Sequence, residues 1–462
     1  MALSLAAALL SLAAAQAAPA PGGGAAANGA DATTGQAPAA RDAGVTAPAS
    51  MNVRIPGTRN SPADTTTAGL DLALASQLLT QTISATGAAT QVETGIQVAP
   101  TVAVGVTIPR FGFALGYNPQ LYLVSITQGP FEVLHRGWIL MEYRASPNWR
   151  LYFAQRLTYG TNNLSTPVTG NGGGNAGQQP PTLNPAALTS LEYLNNETSV
   201  GVAGRLARRL RLSLVAAYLN SGGIGTAAQA VMPHQSGPRA EATLDWNVTS
   251  VSTLGTSIAA QANFFPLIYA STSTSTAPVA GPGRQIYVSS VTETWRVQLS
   301  RQTAAWLIGG ASVANTDAVT GFAYKRLAPI AGAGLESGTR SRQSVRAFLQ
   351  LLLAPYVDPY LAIEYQRLTA NASITWHLST EWILGVSATA AYVPYNNQAA
   401  AATLAADKYG TAGPTLSYTP SKALAFTAGG YWQWQLANQA LSANFNQWGV
   451  YFSVTVSDFE HI

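Results

Sequence analysis

Cysteine is absent from the chain, and charge is scarce: only 10% of the 462 residues are Asp, Glu, Lys or Arg, against about 25% in an average soluble protein. Without cysteine there are no disulfides, no thiolate metal sites, no c-type haem attachment and no lipid-bearing N-terminal Cys. Long apolar runs are also missing beyond the N-terminus, so no helical membrane span is expected. Basic clusters are lacking as well. The 24 Lys and Arg residues, against 20 Asp and Glu, are spread along the chain, which argues against a nucleic-acid partner or an anionic-lipid surface. What is plentiful is apolar surface: 47% of residues are hydrophobic, with 10 Trp and 19 Tyr. A soluble protein so poor in charge would be hard to keep in solution.

The N-terminus reads as an export address. Ala2 to Ala15 is mostly Ala and Leu, and Ala15-Gln16-Ala17 gives a small-x-small cleavage pattern, so residues 1–17 are expected to be a signal peptide, though one without a basic n-region. Residues 18–62 are dominated by Ala, Gly, Pro, Thr and Asn, as in Pro21-Gly22-Gly23-Gly24. Such a segment cannot bury enough apolar surface to offset its ordering entropy, and a disordered leader is expected. In residues 63–95, Asp64 would cap a helix through Leu70, Leu74, Leu78, Leu79 and Ile83 that stops at Gly87. That helix would lie at the mouth of the following domain or enter it as a plug.

From residue 96 to 457 the pattern has period two. Trp149, Leu151 and Phe153 alternate with Arg150, Tyr152 and Ala154, and Ala242, Leu244 and Trp246 with Glu241, Thr243 and Asp245. Near the C-terminus, Trp448, Val450, Phe452, Val454 and Val456 alternate with Gln447, Gly449, Tyr451, Ser453 and Thr455. Successive strand side chains point to opposite faces, so an apolar row backed by a small or polar one suits a strand between lipid and a wet interior. Many segments do this over roughly 10 to 14 residues, near the length a tilted strand needs to cross a membrane. The links alternate too. Short turns such as Ser146-Pro147-Asn148 and Ser379-Thr380-Glu381 are separated by long Gly-, Asn- and Pro-rich stretches such as Thr161 to Leu191. Trp149, Tyr159, Trp246, Trp382 and Tyr392 sit near strand ends, where interfacial girdles belong.

The expected fold is therefore all-β: a transmembrane antiparallel up-and-down β-barrel of about 16 strands, with about 14 as the runner-up, followed by a tail at 458–462. Between Thr316 and Leu378 the apolar parity switches from odd (Leu361, Ile363, Tyr365) to even (Ala372, Ile374, Trp376). A bulge or a turn near Ala370-Asn371 must intervene. Two rows also break the sorting. Leu134, Trp138 and Leu140 share a face with Glu132, Arg136 and Glu142, and Glu293 shares one with Trp295.

In the last strand, Gln447, Gly449, Phe452 and Val454 resemble the C-terminal β-signal of Gram-negative, porin-like outer-membrane β-barrel proteins. That pattern is a polar residue, any residue, glycine, two of any, an aromatic, any residue, then a hydrophobic one. The resemblance covers that strand alone and points to no narrower family. It implies outer-membrane localisation, outer-membrane lipid as surroundings and the barrel-assembly machinery as a partner, with those four residues as the assembly signal.

If the apolar face meets lipid, the inward face holds the functional inventory. Arg136, Arg144, Arg150, Arg156, Arg205, Arg239, Glu241, Asp245, Arg296 and Arg346 fall there as pore-lining candidates, joined by Arg211, Glu132, Glu142 and Glu364. An Arg facing lipid at the midplane costs about 2–4 kcal/mol, which all but forces this sorting. Two readings stand. Either the charges neutralise one another in a filled interior, or they line an aqueous pore for small solutes or ions whose excess Arg favours anions. A structural or adhesive barrel with a blocked lumen and partner-binding loops is the alternative function. The histidines, His135, His234, His377 and His461, show no metal-binding spacing. His377 beside Ser373, Thr375 and Ser379 reads as a solvated lumen residue, so neither catalysis nor a metal or other cofactor is expected. Oligomeric state is left open.

Overall fold

The structure, a computed structural model, describes residues 67–85, 90–124, 132–163, 190–231, 233–270, 279–318, 324–338, 344–358, 363–393, 407–421, 423–436 and 445–461. The expected signal peptide and leader, and the core of the long loop at 164–189, lie outside the described residues.

Alternation builds β1 (Thr67–Ala85), β2 (Gln91–Ile108), β3 (Phe111–Tyr117), β4 (Gln120–Val124), β5 (Glu132–Ser146), β6 (Trp149–Asn163) and β7 (Ser190–Ala207). Then come β8 (Leu210–Gly223), a short helix α1 (Gly225–Val231), β9 (Gln235–Asn247), β10 (Ser252–Ala270), β11 (Val279–Gln298), β12 (Thr303–Ala318) and β13 (Tyr324–Gly338). The remainder are β14 (Val345–Asp358), β15 (Ile363–His377), β16 (Trp382–Val393), β17 (Asp407–Ser421), β18 (Leu424–Leu436) and β19 (Phe445–His461). Every pairing is antiparallel and, apart from β2 with β4 and β3 with β5, joins neighbours in the chain; β19 returns to pair with β1, so the sheet closes.

β3 and β4 lie end to end between β2 and β5. The break falls at Asn118-Pro119, because Pro119 has no N–H for the ladder. Asn118 uses the gap, donating through Nδ2 to Thr101 Oγ1 at 2.6 Å and to the Pro100 carbonyl at 3.1 Å. The 19 strands therefore make 18 staves.

This corrects the expected count, and each difference has a cause. The helix expected through Leu70 and Leu78 is strand β1. Leu70, Leu74 and Leu78 are spaced by four, which puts them on one face of a helix and of a strand alike. Leu72 also faces out, with Leu72, Leu74 and Leu78 all 43–49% exposed, and only a strand allows that. The barrel thus begins at residue 67 rather than 96, and β2 is a second added stave. β13 differs because the middle of its outward row, Pro329, Ala331 and Ala333, is too small to register as apolar alternation between Leu327 and Leu335. The segments expected on either side of Ala370-Asn371 are one strand, β15. The expected tail is largely strand, since β19 runs to His461.

The apolar rows face outward all round. Leu151, Leu214, Leu244, Val291, Leu307, Leu349, Ile374, Val450 and Phe452 are among the exposed side chains. Trp246, Trp295 and Trp376 stand near the rim of short turns, and Tyr159, Tyr287 and Trp448 lie toward the rim of long loops. Trp382 and Tyr392 mark the two ends of β16, roughly 25 Å apart along the barrel axis at about 3.3 Å per residue and a tilt near 40°. An apolar band of that height between aromatic girdles is the dress of an outer-membrane barrel, with the short turns on the periplasmic side.

One variant pair tests the closing role of β1. Deleting residues 67–85 should abolish the heat-modifiable shift on a gel, because β19 loses its partner, whereas deleting 18–62 should leave the shift intact. A retained shift in the first deletion would count against closure through β1.

Candidate functional site

The lumen is the candidate site, and its charge is gathered on one wall. At the short-turn mouth, Glu142 Oε1 accepts from Arg150 Nη1 at 3.3 Å and from Arg144 Nε at 3.4 Å. Arg205 faces Arg211 across the ladder, and Arg211 faces Asp245. Arg296 donates to Glu336 at 3.1 Å and its guanidinium lies 5.7 Å from the Trp306 ring centroid. Arg346 sits opposite Thr375. These pairs are partly solvated, so each stabilises by only about 0–1 kcal/mol. Their consequence is electrostatic: Arg144, Arg150, Arg205, Arg211, Arg296 and Arg346 outnumber Glu142, Asp245 and Glu336.

Deeper in the barrel the same wall continues. Arg156 lies opposite Glu197, and Arg239 is buried at 8% exposure. Glu241 Oε1 accepts from Ser257 Oγ at 2.9 Å and Thr243 Oγ1 at 3.0 Å. Gln235 Nε2 donates to Asn263 Oδ1 at 2.6 Å. Arg136, Arg144, Arg150, Arg156, Arg205, Arg239, Glu241, Asp245, Arg296 and Arg346 all stand in rows opposite to the lipid-facing ones. Leu134 and Leu140 share their row as buried wall packing, and Leu140 belongs to a cluster with Ala114, Tyr152, Ala154 and Ala203.

Glu293 is one of the charges that break the sorting, as are Glu192, beside Tyr159, and Lys408, over the Tyr392 ring. Glu293 faces outward, its carboxylate oxygens 2.8 and 2.9 Å from the Thr256 hydroxyl that donates to them. Beside it, Trp295 Nε1 donates to Ser252 Oγ at 2.9 Å. The group lies toward the periplasmic end of β11, in the interfacial zone, where a carboxylate costs little.

The facing wall is different. From Thr411 to Thr419, Ala425 to Gln433 and Gln447 to Thr455, the inward residues of β17, β18 and β19 are uncharged. Thr415, Ser417, Gln433 and Ser453 are only partly buried, whereas Ser257, Gln261, Val288, Ser290 and Ser312 on the inner face of β10–β12 are buried.

Part of that cover is the outer end of the β14–β15 hairpin, which leaves the wall and folds inward. β13 pairs with β14 only from Ala331↔Leu353 to Gly338↔Arg346, although both strands continue beyond Ala331 and Leu353. On the other side β16, which ends at Val393, pairs with β15 along its length, from His377↔Ile383 to Leu368↔Tyr392. The free ribbon packs Val357 against Phe265, Ile286, Val288 and Ala314 on the inner wall. Glu364, Tyr365, Gln366 and Arg367 are consecutively buried, which a strand within a barrel wall cannot achieve. Arg367 lies 3.9 Å from the Tyr356 ring centroid.

The cause is in the sequence. Extending the β13–β14 register past Ala331↔Leu353 sets Pro329 opposite Pro355, and neither has an N–H to give. The parity switch between Tyr365 and Ala372 marks the place where β15 rejoins the wall, rather than a turn at Ala370-Asn371. Opposed prolines were the signal available to sequence reasoning, but it is readable only once the register is known.

The four residues that resemble an assembly signal divide between the faces. Gln447, at 1% exposure, donates to the Tyr431 hydroxyl at 3.2 Å. Gly449 lies beneath the Tyr431 ring, where a Cβ would come within 2.7 Å of ring atoms. Phe452 and Val454 face outward, and Phe452 is stacked on Phe426 with centroids 6.4 Å apart.

The profile of the EpsX exopolysaccharide export family matches residues 65–396. No curated protein matches the sequence. Among solved structures, the ferric citrate transporter FecA in its unliganded form aligns at 11% identity with a TM-score of 0.45, over 83% of this chain. The chain spans 61% of that transporter's length. The outer membrane protein OprD from Pseudomonas aeruginosa aligns at 11% identity and a TM-score of 0.43, over 85% of this chain and 94% of its own. OccAB4 of Acinetobacter baumannii aligns at 9% identity and 0.43, over 86% and 100%.

The inward ribbon is directly testable because the chain holds no cysteine to interfere. Val357→Cys paired with Ile286→Cys or Val288→Cys should cross-link on mild oxidation, read as a reductant-sensitive change in gel mobility. Failure of both pairs to link would place the ribbon elsewhere.

Proposed function

The chain belongs to the EpsX exopolysaccharide export family, and from that premise we propose that its barrel is the outer-membrane exit for an exopolysaccharide. The observation that supports this reading is the two-sided lumen: an arginine-rich periplasmic mouth, a charged wall partly covered by the ribbon, and a neutral wall of hydroxyls and amides that is part-exposed at Thr415, Ser417, Gln433 and Ser453. A polysaccharide is a long, hydrated chain of hydrogen-bonding groups. A wall that exchanges one hydroxyl partner for another at every step holds it weakly and lets it slide. Binding strong enough to admit and weak enough to release is what conduction requires.

The excess of Arg at the mouth attracts anions, so acidic polymers and small anions are favoured at entry. An aqueous path for a sugar chain also passes small solutes. The ribbon favours a second reading, a barrel whose lumen is blocked at rest and whose outer loops bind a partner.

Two measurements decide between them. Cells without the protein should retain the polysaccharide and lose it from their surface, and the purified barrel should conduct in a planar bilayer. A silent barrel from cells whose export is unimpaired would support the blocked-lumen reading. In a salt gradient, Arg205→Glu with Arg346→Glu should move the reversal potential toward cation selectivity. Arg205→Glu also gives Arg211 a carboxylate partner, so the fold should tolerate it. An unchanged potential would place both residues away from the ion path.

A further inference from the structure

The uncharged wall carries two tyrosines in an arrangement that neither the family nor the pore reading assigns. Tyr431 on β18 is paired with Gly449 on β19, and Tyr451 on β19 with Gly429 on β18. Each ring lies over its partner glycine. A Cβ at Gly449 would come within 2.7–2.8 Å of Tyr431 ring and hydroxyl atoms, and one at Gly429 within 2.5–2.8 Å of those of Tyr451. A side chain at either place would push the phenol end of the facing tyrosine aside, so the two glycines are what let the rings lie against the wall. An aromatic ring laid on a cross-strand glycine turns one face to the backbone and the other to the lumen. Both tyrosines are part-exposed, and they sit side by side near mid-height of the two strands.

We propose that Tyr431 and Tyr451 form a stacking platform for pyranose rings of the exported chain; the identity of that ligand rests on the export reading above. The apolar C–H face of a pyranose packs on an aromatic face, and its rim of hydroxyls needs partners in the plane around it. That rim is supplied. Gln447 Nε2 already orients the Tyr431 hydroxyl at 3.2 Å, Gln433 pairs with Gln447, and Thr415 and Ser453 flank the rings on neighbouring positions. No charged residue stands among these inward positions of β17, β18 and β19, so the platform reads the sugar ring itself. Any acidic substituent would face the arginine-bearing wall.

The test uses the full chain, purified and folded as judged by heat-modifiable mobility, with cellohexaose as the probe. Saturation-transfer NMR in detergent micelles measures binding, and current block in a planar bilayer measures transit. The wild type should bind the hexasaccharide and show transient block. Tyr431→Ala with Tyr451→Ala should weaken binding roughly tenfold or more, as loss of stacking contacts implies, while open-channel conductance does not fall. Tyr431→Phe with Tyr451→Phe should keep most of the binding, since the ring face remains. Alanine variants that bind like the wild type, or a wild type that binds no hexasaccharide, would overturn the platform. A barrel that binds the sugar through these rings yet never conducts would leave the platform standing and sink the export reading.

Discussion

Inside a bilayer no water is present to take up an unpaired peptide group, so a sheet can cross only if it closes on itself. Every other feature of this molecule depends on that closure, and here it is made by β1 and β19. Each residue from Gly69 to Ala85 has a partner between His461 and Phe445. Once the ring is shut, the two faces of every stave are committed to different solvents. The sorting of arginine inward and leucine outward is then a consequence and needs no separate explanation. The same commitment explains why apolar residues such as Leu140 are tolerated inside, where they pack on neighbouring wall residues, while the outward charges Glu293, Glu192 and Lys408 sit toward strand ends, the two carboxylates beside hydroxyl donors and the ammonium by the Tyr392 ring.

Much of this was legible from residues alone, and the failures have physical causes. Strands with bulky outward rows, such as β6, β9 and β19, announced themselves because period two is unambiguous when large and polar residues alternate. β1 did not, because leucines four apart satisfy both periods, and β13 did not, because the middle of its outward face is alanine and proline, with leucines only at its two ends. For the lumen, the inward set of arginines could be read from strand parity, since lipid rejects guanidinium groups. The inward ribbon and the tyrosine–glycine pairs were not legible. Both depend on which residue lies opposite which, and register is a property of the closed sheet.

The lumen that results is not radially uniform. Charge, buried amides and the ribbon occupy the side from β5 to β14, and small hydroxyls occupy the side from β17 to β19. On the proposed export reading, attraction and weak, repeated contact are separate tasks, and they would fall to separate parts of the wall, the arginine-bearing side and the neutral side.

The opposed prolines carry a consequence for the shape of the barrel as a whole. Below Ala331 and Leu353 all 18 staves are hydrogen-bonded into the ring. Above them the β14–β15 ribbon has left β13, whose remaining residues from Tyr324 to Ile330 pair on one side only, with β12. The outer end of the sheet thus carries an open strand edge, on β13, that the periplasmic end lacks. Returning the ribbon to the wall could not close that ladder fully, since Pro329 and Pro355 would meet there with no N–H to give.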